Sequence, residues 1–285
     1  MTAARVATDT VAANAAIAEP RARFRDLAAA EWIKYRSLRS TPWCLLISAL
    51  AVLAFNAGAA WNQDRYWHAN GVTAARFIAD GLPLQDAFTA NACIVMMVAG
   101  AAIGALAITG EYSTGLIRTT FTAVPVRRSV LAAKIVVIVA VTSVLGAVAA
   151  ATSFGLTQVI LSSHQAGVSI GHPGAWRLVV ASALLAPVSA LVGAAVGAVI
   201  RHSAAAVAGT IVILAVVPVF IQPSGHISAV IAHALPFGAW NRLVAIPFDS
   251  VKTYPWTIAG AWTVLAVWAL VAAIVAVAAA RWRDV

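Results

Sequence analysis

Residues 110–134 read "GEYSTGLIRTTFTAVPVRRSVLAAK" and separate two long stretches built almost entirely of Ala, Val, Ile, Leu and Gly. A helix needs about 20 apolar residues to cross a hydrocarbon core, and the runs on either side of this polar break satisfy that length. The break is therefore a loop between two membrane spans. Applying the same criterion outward along the chain yields six spans, at about 42–61, 87–109, 129–161, 177–200, 204–221 and 255–280. The third is long enough to tilt or to project beyond the bilayer, and Pro187 should kink the fourth.

Composition agrees with this reading. The 285 residues are 62% hydrophobic and 10% charged, with a mean hydropathy of +0.89, whereas a soluble domain carries about 25% charged residues. The expected fold class is an all-α membrane protein. Its formal charge of +9 does not point to nucleic acid, because the basic residues flank apolar runs rather than forming a stripe on a soluble domain. Cys44 and Cys93 lie inside apolar runs without metal-ligand spacing, so neither a disulfide nor a zinc framework is expected. Residues 1–20 are interrupted by Arg5, Asp9, Asn14 and Glu19 and read as a disordered cytoplasmic tail rather than a cleaved signal.

Six spans place both termini on one side. Segments on that side hold Arg5, Arg21, Arg23, Arg25, Lys34, Arg36, Arg39, Arg118, Arg127, Arg128, Lys134, Arg201, Arg281 and Arg283, against Arg65, Arg76, Arg177, Arg242 and Lys252 on the other. The bias predicts cytoplasmic termini and a cytoplasmic 110–134 loop. Trp43, Trp61, Tyr66, Trp67, Trp176, Tyr254, Trp256 and Trp282 fall near predicted span ends, where interfacial anchors belong.

Ahead of the first span, residues 21–39 can form a helix with Phe24, Leu27, Ala28, Trp32, Tyr35 and Leu38 on one arc and Arg25, Arg36 and Arg39 beside it. That pattern suits an amphipathic helix on the inner membrane surface. Glu31 falls within the apolar arc, a sign that part of this face meets protein. Between spans five and six, residues 222–254 hold two apolar segments too short to cross, bounded by Pro223, Pro236 and Pro247. They are expected to enter the outer leaflet and return, closing a pathway or capping the bundle.

No ionisable residue occupies the middle of any expected span, which disfavours a proton-coupled carrier. The chain carries no GxxxxGK[ST] loop, HExxH or GxSxG, so neither ATP hydrolysis nor these hydrolytic chemistries can be assigned to it. No catalytic residue and no metal site is expected; His68, His164, His172, His226 and His233 are scattered over outer segments. Phe55, Asn56, Phe88 and Asn91 put aromatic and amide groups in the first two spans, either along a substrate pathway or in internal packing and hydrogen bonding. Gly100 with Gly104, and Gly193 with Gly197, have the spacing that lets helices approach closely.

Within the opening loop, Ser113–Val124 is predicted as a short helix. Ser113 stands at its N-cap, Ile117, Phe121 and Val124 form a stripe, Gly115 allows close approach, and Pro125 ends it. Arg127, Arg128 and Lys134 would anchor the next span at the membrane surface. Gly110, Glu111, Tyr112, Gly115, Ile117, Arg118, Thr119, Thr120, Pro125, Arg128, Leu131 and Lys134 together resemble the loop after span two of ABC-2 type transporter permeases. The stretch 31–43, "EWIKYRSLRSTPW", resembles the approach to span one in actinobacterial members of that family. Leu116 stands where the family usually has Thr, and Arg127 where a Ser often precedes the Arg.

The resemblance implies that residues 21–285 form one ABC-2 type transmembrane domain, the permease of a bacterial exporter in the cytoplasmic membrane. It implies a coupling helix at about 111–124 that docks a separate ATPase through Glu111, Thr114, Gly115, Ile117, Arg118, Thr119 and Phe121. Glu31, Lys34 and Tyr35 of the inner-surface helix would add contacts. Two ATPase subunits, binding ATP and Mg, would pair with two permease copies, identical or related, and move a hydrophobic or amphiphilic substrate outward. The same scaffold also suits a non-transporting assembly, immunity or sensory subunit.

Overall fold

The computed structural model describes residues 23–37, 40–67, 73–116, 126–221, 225–246 and 254–279. Among them there is no strand. Six helical segments are long and apolar enough to cross a membrane, making this a multi-pass membrane protein by length and composition.

The chain opens with α1 (Phe24–Ser37), followed by the first long helix α2 (Ser40–Arg65). Two short helices, α3 (Ala74–Ala79) and α4 (Leu82–Ala87), lead into α5 (Ala90–Ser113). The longest helix is α6 (Arg127–Leu161), continued by a 3-10 turn at Ser162–His164, and α7 (Ala175–Ile200) follows. Next come α8 (Ser203–Ile211), a π-helical turn at Val212–Val216 and α9 (Val217–Phe220), which together make the fifth span. A pair of nine-residue helices, α10 (His226–Ala234) and α11 (Pro236–Val244), precedes the last span, α12 (Ile258–Ala278).

Local chemistry accounts for several boundaries. Thr89 starts α5 by accepting a hydrogen bond from the Ala92 N–H at 3.3 Å, and Thr257 starts α12 by accepting from Gly260 N at 3.0 Å. The fifth span widens to π geometry just before Pro218, whose missing N–H and ring cannot serve the Leu214 carbonyl one turn back. Pro187 likewise lies inside α7 and leaves the Ala183 carbonyl without its helical donor. The helix nonetheless runs on to Ile200, and Gly146 of α6 packs directly against that carbonyl.

Helix α7 is the hub, packing against α5, α6, α8, α11 and α12. Its contact with α5 is a reciprocal row of small residues. Gly100 and Gly104 face the backbone of Ala186 and Ala190, while Gly193 and Gly197 face that of Ala101 and Ala105. A methyl group at Gly100 would sit 2.6 Å from the Ala186 carbonyl oxygen. The spacing read from the sequence is therefore a working interface, because lipid tails offer no hydrophobic drive between helices and close backbone approach supplies the attraction.

Candidate functional site

Four charged side chains converge at the end of the bundle where α1 meets the foot of α6 and the last turn of α5. Glu31 and Lys34 come from one face of α1, at the i, i+3 spacing that makes helix positions neighbours. Glu111 comes from the end of α5, and Lys134 from the second turn of α6. The Lys34 ammonium donates to Glu31 Oε1 at 2.8 Å and to Glu111 Oε1 at 3.2 Å. The Lys134 ammonium donates to Glu111 Oε1 at 2.9 Å and also to Glu31 Oε2. Signs alternate around the ring, so each carboxylate meets two ammonium groups and the set is neutral.

Burial makes this arrangement consequential. Glu31 is 4% exposed, Lys134 7% and Glu111 9%. Desolvating such ions costs several kcal/mol each, recovered only when every one is paired and hydrogen-bonded. Burial alone would pull the Lys34 ammonium down, but its hydrogen bond to Glu31 and the charges of Glu111 and Glu31 hold it above the ordinary lysine range. Burial, with a smaller contribution from Cys44, pushes the Tyr35 phenol up to about 12. Beside the ring lies a cavity of about 360 Å³, walled by Tyr35, Leu106, Gly110, Thr114 and Val137.

The ring brackets the loop. Helix α5 runs through Glu111 to Ser113, so the loop helix does not begin there as expected. Ser113 is not an N-cap: its hydroxyl donates to the Gly110 carbonyl at 2.9 Å inside the last turn of α5. Thr114 caps the C-terminus, its N–H and hydroxyl both turning back to Gly110 O. Gly115 follows at φ +71, a left-handed conformation that glycine adopts without penalty. Among the described residues nothing lies where its Cβ would stand, so within this chain it is the turn that calls for Gly115. Ile117, Arg118, Thr119 and Phe121 lie outside the described residues.

The other predicted residues divide. Lys134, expected as a surface anchor, is instead buried in the ring, because Glu31 and Glu111 offer it stronger partners than lipid headgroups. Arg127 is half-buried and Arg128 exposed at the start of α6. Glu31, Lys34 and Glu111 share the ring, while Tyr35 stands at the cavity; Phe24 and Trp32 are left exposed on α1. Phe55, Asn56, Phe88 and Asn91 do not come together as one surface. Asn56 and Phe88 are buried, whereas Phe55 is 45% exposed and Asn91 also faces outward.

Asn56 is an internal junction. Its Nδ2 donates to Ser153 Oγ at 3.0 Å, and its Oδ1 accepts from the Thr89 N–H at 3.0 Å and the Thr89 hydroxyl at 2.9 Å. One amide thus ties α2, the start of α5 and the C-terminal half of α6. Thr89 and Ser153 had no signal in the sequence, since a hydroxyl in an apolar run is compatible with several roles. No protein-family model matches the chain, and no curated protein is detectably similar to it.

Proposed function

We propose that this chain is the permease subunit of an ATP-driven bacterial exporter of the ABC-2 type, working with a separate ATPase and a second permease copy. The observation that carries the proposal is the buried charged ring. It clamps α1 to the end of α5 that enters the 114–126 loop and to the start of α6 that leaves it. A push on that loop would pass into two spans and α1 as one body instead of being absorbed by a slack connection. The resemblance of residues 110–134 and 31–43 to ABC-2 permeases supports the same reading.

In this reading the ring end faces the cytoplasm, as the Lys/Arg distribution expects, and α1 lies along the inner surface. The α10–α11 pair dips into the outer leaflet. Glu111, Glu31 and Lys34 take the role of bracing the lever, and the docking contact falls to Thr114–Phe121, with Arg118 as its charged contact. The cargo is hydrophobic or amphiphilic, in keeping with the apolar bundle.

The test is reconstitution of the chain in liposomes with an ABC ATPase from the same organism. The expected result is copurification and stimulated ATP hydrolysis, both lost in Arg118→Glu while membrane insertion persists. Normal stimulation by Arg118→Glu would remove the docking assignment. A chain that assembles with the ATPase but supports no ATP-dependent efflux of any amphiphile would be the assembly, immunity or sensory subunit instead.

A further inference from the structure

At the end of the bundle away from the ring, the junction of α4 and α5 and the end of α11 enclose a cavity of about 300 Å³. Its lining mixes chemistries: the Asp86 carboxylate, the Gln85 and Asn241 amides, and the Phe88 and Trp240 rings. A volume of this size suits a small organic molecule.

Asp86 is the informative member. Its Oδ2 is enclosed, and among the described residues it accepts no hydrogen bond and no Lys or Arg pairs with it. The contrast with Glu31 and Glu111 is sharp, since each of those buried carboxylates holds two ammonium groups. A carboxyl group kept partly enclosed without a donor is an arrangement that folds rarely retain unless something arrives to pair with it. Trp240 has already engaged its indole N–H with Ser182 Oγ at 3.0 Å, so toward the cavity it contributes ring surface, as does Phe88. Aromatic surface beside a carboxylate is the environment that stabilises an organic cation.

We propose that this cavity binds a protonated amine carrying an apolar body, with the ammonium on Asp86 and the apolar part against Phe88 and Trp240. That this ligand is cargo on its outward route rests on the exporter reading; the binding itself does not. A metal ion suits the site less well, because two amides and one carboxylate beside aromatic rings make a poor oxygen cage.

The full chain in phosphatidylcholine nanodiscs, without any ATPase, is titrated calorimetrically with phenylbutylamine and with its neutral isostere phenylbutanol. The expected result is tighter binding of the amine, reduced about tenfold or more by Asp86→Asn, with the alcohol unaffected. Asn241→Trp, which fills the cavity, should weaken both ligands. Because Asp86→Asn removes an unpaired charge, its thermal midpoint should equal or exceed that of the unsubstituted chain. Equal affinity for amine and alcohol, amine binding indifferent to Asp86→Asn, or a lowered midpoint for that variant would each overturn the proposal. Since no nucleotide enters the measurement, its failure is separable from failure of the exporter reading, which is decided by ATPase stimulation.

Discussion

The Lys134 ammonium lies 2.9 Å from Glu111 Oε1, joining the second turn of α6 to the last turn of α5 across the loop between them. Lys134 also holds Glu31 of α1, so three elements meet at one buried nitrogen. Removing one partner from such a set leaves the others buried and uncompensated, at a cost of about 3–5 kcal/mol. Lys134→Met should therefore lower the thermal midpoint of the purified chain sharply, and the paired removal Glu31→Gln with Lys34→Gln, which keeps the ring neutral, should cost less than Lys134→Met. Equal midpoints for Lys134→Met and the unsubstituted protein would mean that the ring contributes nothing.

The same ring predicts a loss of stability in alkali. The folded Lys34 pKa is raised above its ordinary 10.5, so its contribution is fully present below that value and lost as pH rises through the higher folded one. Tyr35 has the same sign: its folded pKa of about 12 against 10.0 favours the neutral phenol, and that contribution is lost between those two values. Unfolding followed from pH 9 upward should show falling stability, with a shallower decline in Lys34→Gln, and tyrosinate absorbance should place one phenol near 12. A midpoint unchanged by alkali would contradict the pairing.

How much of this was legible beforehand depended on how local the signal was. The six spans were readable because crossing a bilayer requires a long apolar run, and that requirement is met within each segment separately. Glu31 stands out as an acid in an apolar arc, but its partner Lys134 lies 103 positions away, and Lys34 and Glu111 are 77 positions apart. Each of the four charges, taken alone, suited a docking surface or a membrane anchor. Asn56 was similar: its amide was visible, whereas Thr89 and Ser153 could be identified as partners only once three helices were assembled. Ser113 is ambiguous because a Ser hydroxyl can cap a helix N-terminus or, as here, bond back to a carbonyl of the preceding turn.

The glycine rows provide a prediction in which spacing alone is insufficient. Gly104 and Gly193 abut the Ala190 and Ala101 backbones, whereas Gly58 in α2 has nothing within 4 Å of its would-be Cβ. Gly104→Val or Gly193→Val should force α5 and α7 apart and cost about 1–3 kcal/mol or more. Gly58→Ala should be neutral or stabilising by about 0.5–1 kcal/mol, because alanine loses less backbone entropy in a helix. Denaturation midpoints of the three variants decide it; similar losses at all three positions would sink the assignment of the α5–α7 row.

Two arginines hold the α10–α11 pair in place. Arg177 at the start of α7 donates from Nε to the Leu243 carbonyl at 2.8 Å and from Nη2 to Ala245 O at 3.1 Å, satisfying acceptors that the end of α11 leaves unpaired. Arg242 on α11 donates to Trp256 O at 2.6 Å, fixing the entry to α12. Hydrogen bonds from a charged donor are worth about 1.5–3 kcal/mol, so losing those of Arg177 should raise local opening at the end of α11 by roughly tenfold to a hundredfold. Amide exchange in Arg177→Met should accelerate over residues 240–246 while α5 stays protected. Arg242→Met should instead loosen the start of α12, because its acceptor lies there. If exchange over 240–246 were unchanged in Arg177→Met, α11 would be held by its apolar contacts with α7 and α12 alone, and the arginine would be no more than a charge at the edge of the bundle.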